Sequence, residues 1–265
     1  MAMTIADLKR MKTQGERISM LTAYDATFAR LVEAAGIEVI LIGDSLGNVM
    51  QGRSTTVPVT VEDIIYHSRC VMRACQRPFV VADLPFGSYQ ASLEDGLRAA
   101  FRLMKEGGVH GVKLEGGERC VPLTQALTQA GVPVMGHLGL TPQSVHQLSG
   151  YRVQGKEAQA AEALLQDAQS LQEAGAFSIV LECVPRQLAA RVTQALHIPT
   201  IGIGAGPDCD GQVLVLQDCL GMGLEKPAKF VRPFAMLGET AIEAFKAYAH
   251  EVRSGTYPND GESYH

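Results

Sequence analysis

The chain has 265 residues, a formal charge of −5 from 23 basic and 28 acidic residues, and 46% hydrophobic residues. That balance excludes an electrostatic footprint for nucleic acid or an anionic membrane, and the scatter of 27 Gly and 12 Pro without a repeat excludes fibrous and disordered classes. Small molecules, or further copies of the chain, are the expected partners.

In chain order, residues 4–12 read as a short amphipathic helix. Asp7, Lys9, Arg10 and Lys12 within it argue against a signal peptide or anchor. A strand is expected over 18–24, then a helix over 26–35 stopped by Gly36, then a strand over 39–44. The polar stretch 47–58 is either a lid over a site or a solvated loop. A helix over 61–75 leads to a strand over 79–83, a helix over 92–106 to a strand over 111–115, and a helix ending in glycine at 129–132 to a strand over 132–137. A helix over 156–174 precedes a strand over 178–182, a helix over 185–196 precedes one over 200–204, and 212–218 reads as an eighth strand or a helix start. A helix over 239–252 comes last.

The strand runs are apolar without alternation, as in strands buried on both faces of a parallel sheet. A βα repeat of roughly 28–31 residues, seven or eight times over, predicts an α/β fold: a single (β/α)8 TIM barrel domain over 1–265 with a short N-terminal and a C-terminal helix. A doubly wound sheet is the alternative, but the first strand is not followed by G-x-G-x-x-G. The glycine-rich Gly202-Ile203-Gly204-Ala205-Gly206 lies where barrels often hold an anion, and reads equally as a close-packed turn. No run is apolar enough for a bilayer, and six cysteines without a C-x-x-C pair point to reduced thiols in the cytoplasm.

Parallel strands deliver their C-terminal ends to one mouth. The polar residues there are Asp44 with Ser45, Asp83, Lys113 with Glu115, His137 and Glu182. Four carboxylates at one low-dielectric end call for a compensating cation or raised pKa values; a bound metal is the simplest solution, and oxygen ligands favour Mg²⁺ or Mn²⁺. Taken singly, Asp44 and Asp83 also read as helix caps, and His137 as a hydrogen-bonded core residue. Lys113 and Glu115 stand two apart on one strand, so with Val112 and Leu114 on the apolar side they face inward, as a structural ion pair or an anion site. Glu182 ends an apolar strand and is placed to act as a general base. Cys183 reads as packing, and His67 and His146 as structural.

Thr22-Ala23-Tyr24-Asp25, Gly43-Asp44-Ser45-Leu46-Gly47, Ala82-Asp83-Leu84-Pro85-Phe86, Val112-Lys113-Leu114-Glu115-Gly116-Gly117, Gly136-His137-Leu138-Gly139-Leu140-Thr141-Pro142-Gln143, Leu181-Glu182-Cys183-Val184-Pro185 and the 202–206 glycine run resemble, in order, the ketopantoate hydroxymethyltransferases. The resemblance implies transfer of a hydroxymethyl group from 5,10-methylenetetrahydrofolate to 3-methyl-2-oxobutanoate, through a metal-stabilised enolate, to give 2-dehydropantoate on the route to pantothenate and coenzyme A. It implies Mg²⁺ at Asp44, Asp83 and Glu115, substrate contacts at Asp44, Ser45, Asp83 and Lys113, Glu182 as the catalytic general base and His137 as the active-site histidine. A homo-oligomer, often a decamer, is implied as well. The alternative is a Mg²⁺-dependent carbon–carbon lyase or mutase of the phosphoenolpyruvate-utilising barrels, although a lyase-type K-x-C-G loop is lacking; a non-catalytic barrel is a third reading.

Overall fold

The structure, a computed structural model, describes residues 2–265. Eight strands form: β1 (Ile18–Thr22), β2 (Val39–Ile42), β3 (Phe79–Asp83), β4 (Gly111–Glu115), β5 (Val134–Gly139), β6 (Ser178–Glu182), β7 (Thr200–Ile203) and β8 (Gly211–Leu214). Each pairs in parallel with the next, and β8 pairs with β1 to close the barrel that the sequence predicts. Closure brings backbones into contact: a Cβ on Gly211 would lie 2.4 Å from Ile18 O, so that position takes only glycine. β2, β3 and β4 are buried along their whole length, which is why their sequences lack alternation.

The helices are α1 (Ile5–Gln14), α2 (Ala26–Ala34), α3 (Leu46–Val49), α4 (Val61–Met72), α5 (Leu93–Arg102), α6 (Val121–Gln129), α7 (Ala158–Glu173), α8 (Arg186–Ala195), α9 (Leu216–Cys219) and α10 (Leu237–Ser254). Local signals start several of them. Thr4 and Asp7 form a capping box on α1, Thr60 and Asp63 another on α4, and Ser92 caps α5. The expected helix over 92–106 is α5 followed by a π-helical turn, Leu103–Gly107. The ambiguous stretch 212–218 resolves into both alternatives, β8 and then α9.

Inside the barrel, Met20, Val39, Leu41, Phe79, Val81, Met135, Val180, Ile201 and Val213 pack together with Leu8 and Met11 of α1. The amphipathic helix of the N-terminal stretch thus supplies its apolar face to the barrel interior, and Lys12 Nζ anchors it to Asp210 Oδ2 at 2.7 Å. The chain divides into two compact units, Met1–Val215, which holds all eight strands, and Leu216–His265. In the second unit α9 leads to an irregular stretch and then α10. Phe234 N–H donates to Cys219 O and Leu237 N–H to Leu220 O, and Gly255 closes α10 in the left-handed conformation. Among the described residues no helix is long and apolar enough to cross a membrane.

Candidate active site

Register places the polar residues. Val81, Met135 and Val180 belong to the interior cluster, and Asp83, His137 and Glu182 lie two residues further along the same strands, so they face the same interior one layer nearer the C-terminal mouth. Lys113 is paired with Asp83 on one side and Met135 on the other, and Glu115 with His137. The charged pair of β4 therefore faces inward, as its apolar neighbours predict.

The groups meet closely. Lys113 Nζ lies 2.9 Å from Asp83 Oδ1 and 3.7 Å from Glu115 Oε1, and Asp44 N–H donates to Asp83 Oδ2 at 2.9 Å. Asp83 thus secures the strand end beside it instead of capping a helix. His137 stands between two carboxylates, with Nδ1 3.3 Å from Glu115 Oε1 and Nε2 3.2 Å from Glu182 Oε2. Burial and the Lys113 charge press its pKa down, but Glu115 and Glu182 prevail and raise it to about 9. An imidazolium carries hydrogen on both nitrogens, so the 3.2 Å approach of Lys113 Nζ to Nδ1 is a contact between cations, and the counter-charge of Lys113 is Asp83.

Burial, then Asp83 and Glu115, push the Asp44 carboxyl well above its ordinary range. Burial raises Asp83 too, with Lys113 opposing it. Burial likewise acts to raise Glu115, yet His137, Lys113 and the Gln143 N–H hold it below the usual range. Burial disfavours the Lys113 ammonium, but Asp83, Glu115 and Asp44 keep it charged.

Three residues escaped the sequence reading of roles. Gln143, after β5, donates from Nε2 to Asp44 Oδ2 at 2.9 Å and from its backbone N–H to Glu115 Oε2 at 3.0 Å. Tyr89, after β3, reaches Gln143 Oε1 at 2.8 Å. Tyr24, after β1, places its hydroxyl 2.8 Å from Ser45 Oγ. Their positions at strand-following turns were the available signal; their partners were not. The remaining candidates lie to one side. Cys183 has a left-handed backbone (φ +48°), and burial with the neighbouring Glu182 raises its thiol to about 11, which leaves it protonated. His67 Nδ1 hydrogen-bonds Tyr24 O at 2.6 Å. In the 202–206 run, a Cβ on Gly206 would lie 2.7 Å from Arg186 Cγ, and Gly206 O accepts from Gln212 Nε2, so this glycine serves close packing. The 47–58 loop folds on itself, Arg53 N–H donating to Gly47 O at 2.8 Å.

The acidic set suits a hard cation. Asp44, Asp83 and Glu115 are all buried, and Asp83 Oδ1, although ion-paired to Lys113, has no aligned hydrogen-bond donor. Among the described residues no three His, Cys, Asp or Glu side chains form a ready-made cage. Glu115 is turned to His137 and Gln143, leaving Asp44 and Asp83 as an adjacent pair. Mg²⁺ is commonly bound in this way, by one or two carboxylates plus water and substrate oxygens.

Comparison with known proteins places the chain in a family. The sequence pattern described as ketopantoate hydroxymethyltransferase matches residues 2–260. The chain belongs to the ketopantoate hydroxymethyltransferase family. It is 53% identical to the 3-methyl-2-oxobutanoate hydroxymethyltransferase of Anaeromyxobacter sp. (strain Fw109-5), over 99% of this chain and 87% of that one. With the enzyme of the same name from Thermobifida fusca (strain YX) it shares 55% identity, over 98% and 93%. Solved structures extend the likeness in fold alone. A 2,3-dimethylmalate lyase of the PEP mutase/isocitrate lyase superfamily superposes with a TM-score of 0.60 at 18% identity, covering 100% of this chain and 93% of that one. A phosphonopyruvate hydrolase solved with oxalate and Mg²⁺ gives 0.63 at 13% identity, covering 98% and 93%. This chain thus resembles these two proteins in fold.

Proposed function

We propose that the protein transfers a hydroxymethyl group from 5,10-methylenetetrahydrofolate to 3-methyl-2-oxobutanoate, forming 2-dehydropantoate for pantothenate synthesis. Family membership supports the reaction class, and one observation carries the mechanism: the Glu115–His137–Glu182 chain runs beside the buried Asp44, Asp83 and Lys113. A base and a charge-stabilising cluster therefore face one space. The lyase or mutase alternative rests on fold alone.

In this reading Glu182 removes the proton from C3 of the keto acid, and His137, whose Nε2 lies 3.2 Å from Glu182 Oε2, keeps that carboxylate aimed. Lys113 supplies positive charge beside the substrate oxygens, and Ser45, oriented by Tyr24, contacts its carboxylate. A divalent cation, Mg²⁺ or Mn²⁺, held by Asp44 and Asp83 with Glu115 as the third member of the acidic set, would supply Lewis-acid stabilisation of charge on the keto oxygen. Water opens the one-carbon bridge of the folate, its two hydrogens going to the two nitrogens as both carbon–nitrogen bonds break and the carbon passing to formaldehyde; the C3 carbanion adds to that carbon, and Glu182 returns its proton to the new alkoxide. Tetrahydrofolate leaves.

Deuterium exchange at C3 of 3-methyl-2-oxobutanoate, followed by NMR, tests proton removal apart from carbon transfer. Glu182→Gln keeps the shape but accepts no proton, so exchange falls by about 10²–10⁴ while calorimetric affinity for the keto acid persists. Unchanged exchange in the variant would falsify the assignment of the base. Excess chelator abolishes exchange in the parent chain, and failure of that chain to consume keto acid with the folate overturns the function.

A further inference from the structure

Gln143 lies in the turn Pro142–Ser144 and is 3% exposed. A side-chain amide offers two hydrogens and two acceptor sites; here all four are engaged. Nε2 donates to Asp44 Oδ2 and to Leu84 O, each at 2.9 Å, and Oε1 accepts from Tyr89 Oη at 2.8 Å and Gln90 Nε2 at 3.2 Å. Leu84 O can only accept, which decides the orientation of the amide. The backbone N–H of the same residue donates to Glu115 Oε2. One residue after β5 therefore grips carboxylates that follow β2 and end β4.

Tyr89 locks this arrangement. Its hydroxyl accepts the backbone N–H of Glu115 at 3.1 Å and has one proton to give, for which Gln143 Oε1 is nearer than Glu115 O at 3.2 Å. Gln143 does not titrate and cannot serve as acid or base. Nor is it mere filling, because an apolar side chain of its length would occupy the space and leave Asp44 Oδ2 and Leu84 O without this donor.

We infer that Gln143, held by Tyr89, is the positioning residue that sets the stance of Asp44 and Glu115 and thereby shapes the site for a divalent cation and keto acid. The inference rests on the function proposed above. Outer-shell partners of metal-ligating carboxylates commonly govern affinity by 10–100-fold, and Gln143 contacts two members of the acidic set at once.

The experiment uses the full chain and Mn²⁺ alone as probe, titrated by electron paramagnetic resonance. Gln143→Met keeps the chain length and the backbone N–H to Glu115 but removes the amide. It is expected to weaken Mn²⁺ by about 10–100-fold and to lower kcat, with circular dichroism unchanged. Tyr89→Phe keeps the ring and removes only the hydroxyl, and weakens Mn²⁺ in the same direction by a smaller factor. Affinity in Gln143→Met equal to that of the parent chain overturns the inference. Should that variant fail to fold, parental affinity in Tyr89→Phe overturns it instead. A parent chain that binds no Mn²⁺ refutes the metal reading itself, which separates the two failures.

Discussion

Lys113→Met removes the ammonium beside three buried carboxylates while retaining an unbranched side chain. At an effective dielectric constant of about 20, attraction across the 2.9 Å to Asp83 is roughly 6 kcal/mol, and across the 3.7 Å to Glu115 roughly 4 kcal/mol. Desolvation of the ammonium and repulsion from the His137 imidazolium offset much of this. What remains after losing one partner of a buried pair is about 3–5 kcal/mol, because the other charge stays buried without compensation. For a chain of this size that lowers the thermal midpoint by roughly 6–20 °C. Urea and thermal unfolding measure it, and added Mg²⁺ raises the variant's midpoint more than the parent's, because the acidic pair lacks its counter-charge. A loss under about 1 kcal/mol would refute the reasoning, since that is the scale of an exposed ion pair.

Away from the site, Glu33 Oε1 accepts the N–H groups of Gln76 and Arg77 at 2.8 and 2.7 Å, which hold its carboxyl below the ordinary 4.5. A depressed folded pKa stabilises the fold above the unfolded value and loses that contribution as pH falls through the folded one. Glu33→Gln therefore costs about 1–2 kcal/mol at neutral pH, and its gap from the parent narrows on acidification below 4.5; a gap constant with pH contradicts this. A homo-oligomer is expected, since Leu31, Tyr66 and Phe101 of the barrel unit and Phe245, Tyr248 and Val252 of α10 are exposed. Light scattering that returns a monomer mass in dilute solution would exclude it.

The sequence by itself determined the barrel and most of its acidic mouth, because the physics involved is local. An apolar run of strand length, a glycine stop and a polar residue at the strand's end lie within a few residues of one another, so β3, β4 and β6 match their expected bounds at Phe79–Asp83, Gly111–Glu115 and Ser178–Glu182. Parallel strands then bring Asp83, Glu115 and Glu182 to one end whatever the loops do. Nearest-neighbour chemistry also anticipated the inward-facing Lys113.

Partnership was left to the tertiary structure. Asp44 and Gln143 are 99 residues apart, and Tyr89 and Gln143 are 54 apart, separations at which no periodicity carries information. The same holds for Glu115, whose orientation toward His137 and Gln143 follows from register with β5 and from the turn after it. Cys183 gave no sign of its left-handed backbone, since cysteine is not a usual occupant of that region. Residues 212–218 satisfied strand and helix patterns alike until pairing with β1 ended the strand at Leu214. Side-chain orientation in a buried polar site depends on which donors and acceptors close around it, and those arrive from loops that only the closed barrel brings together.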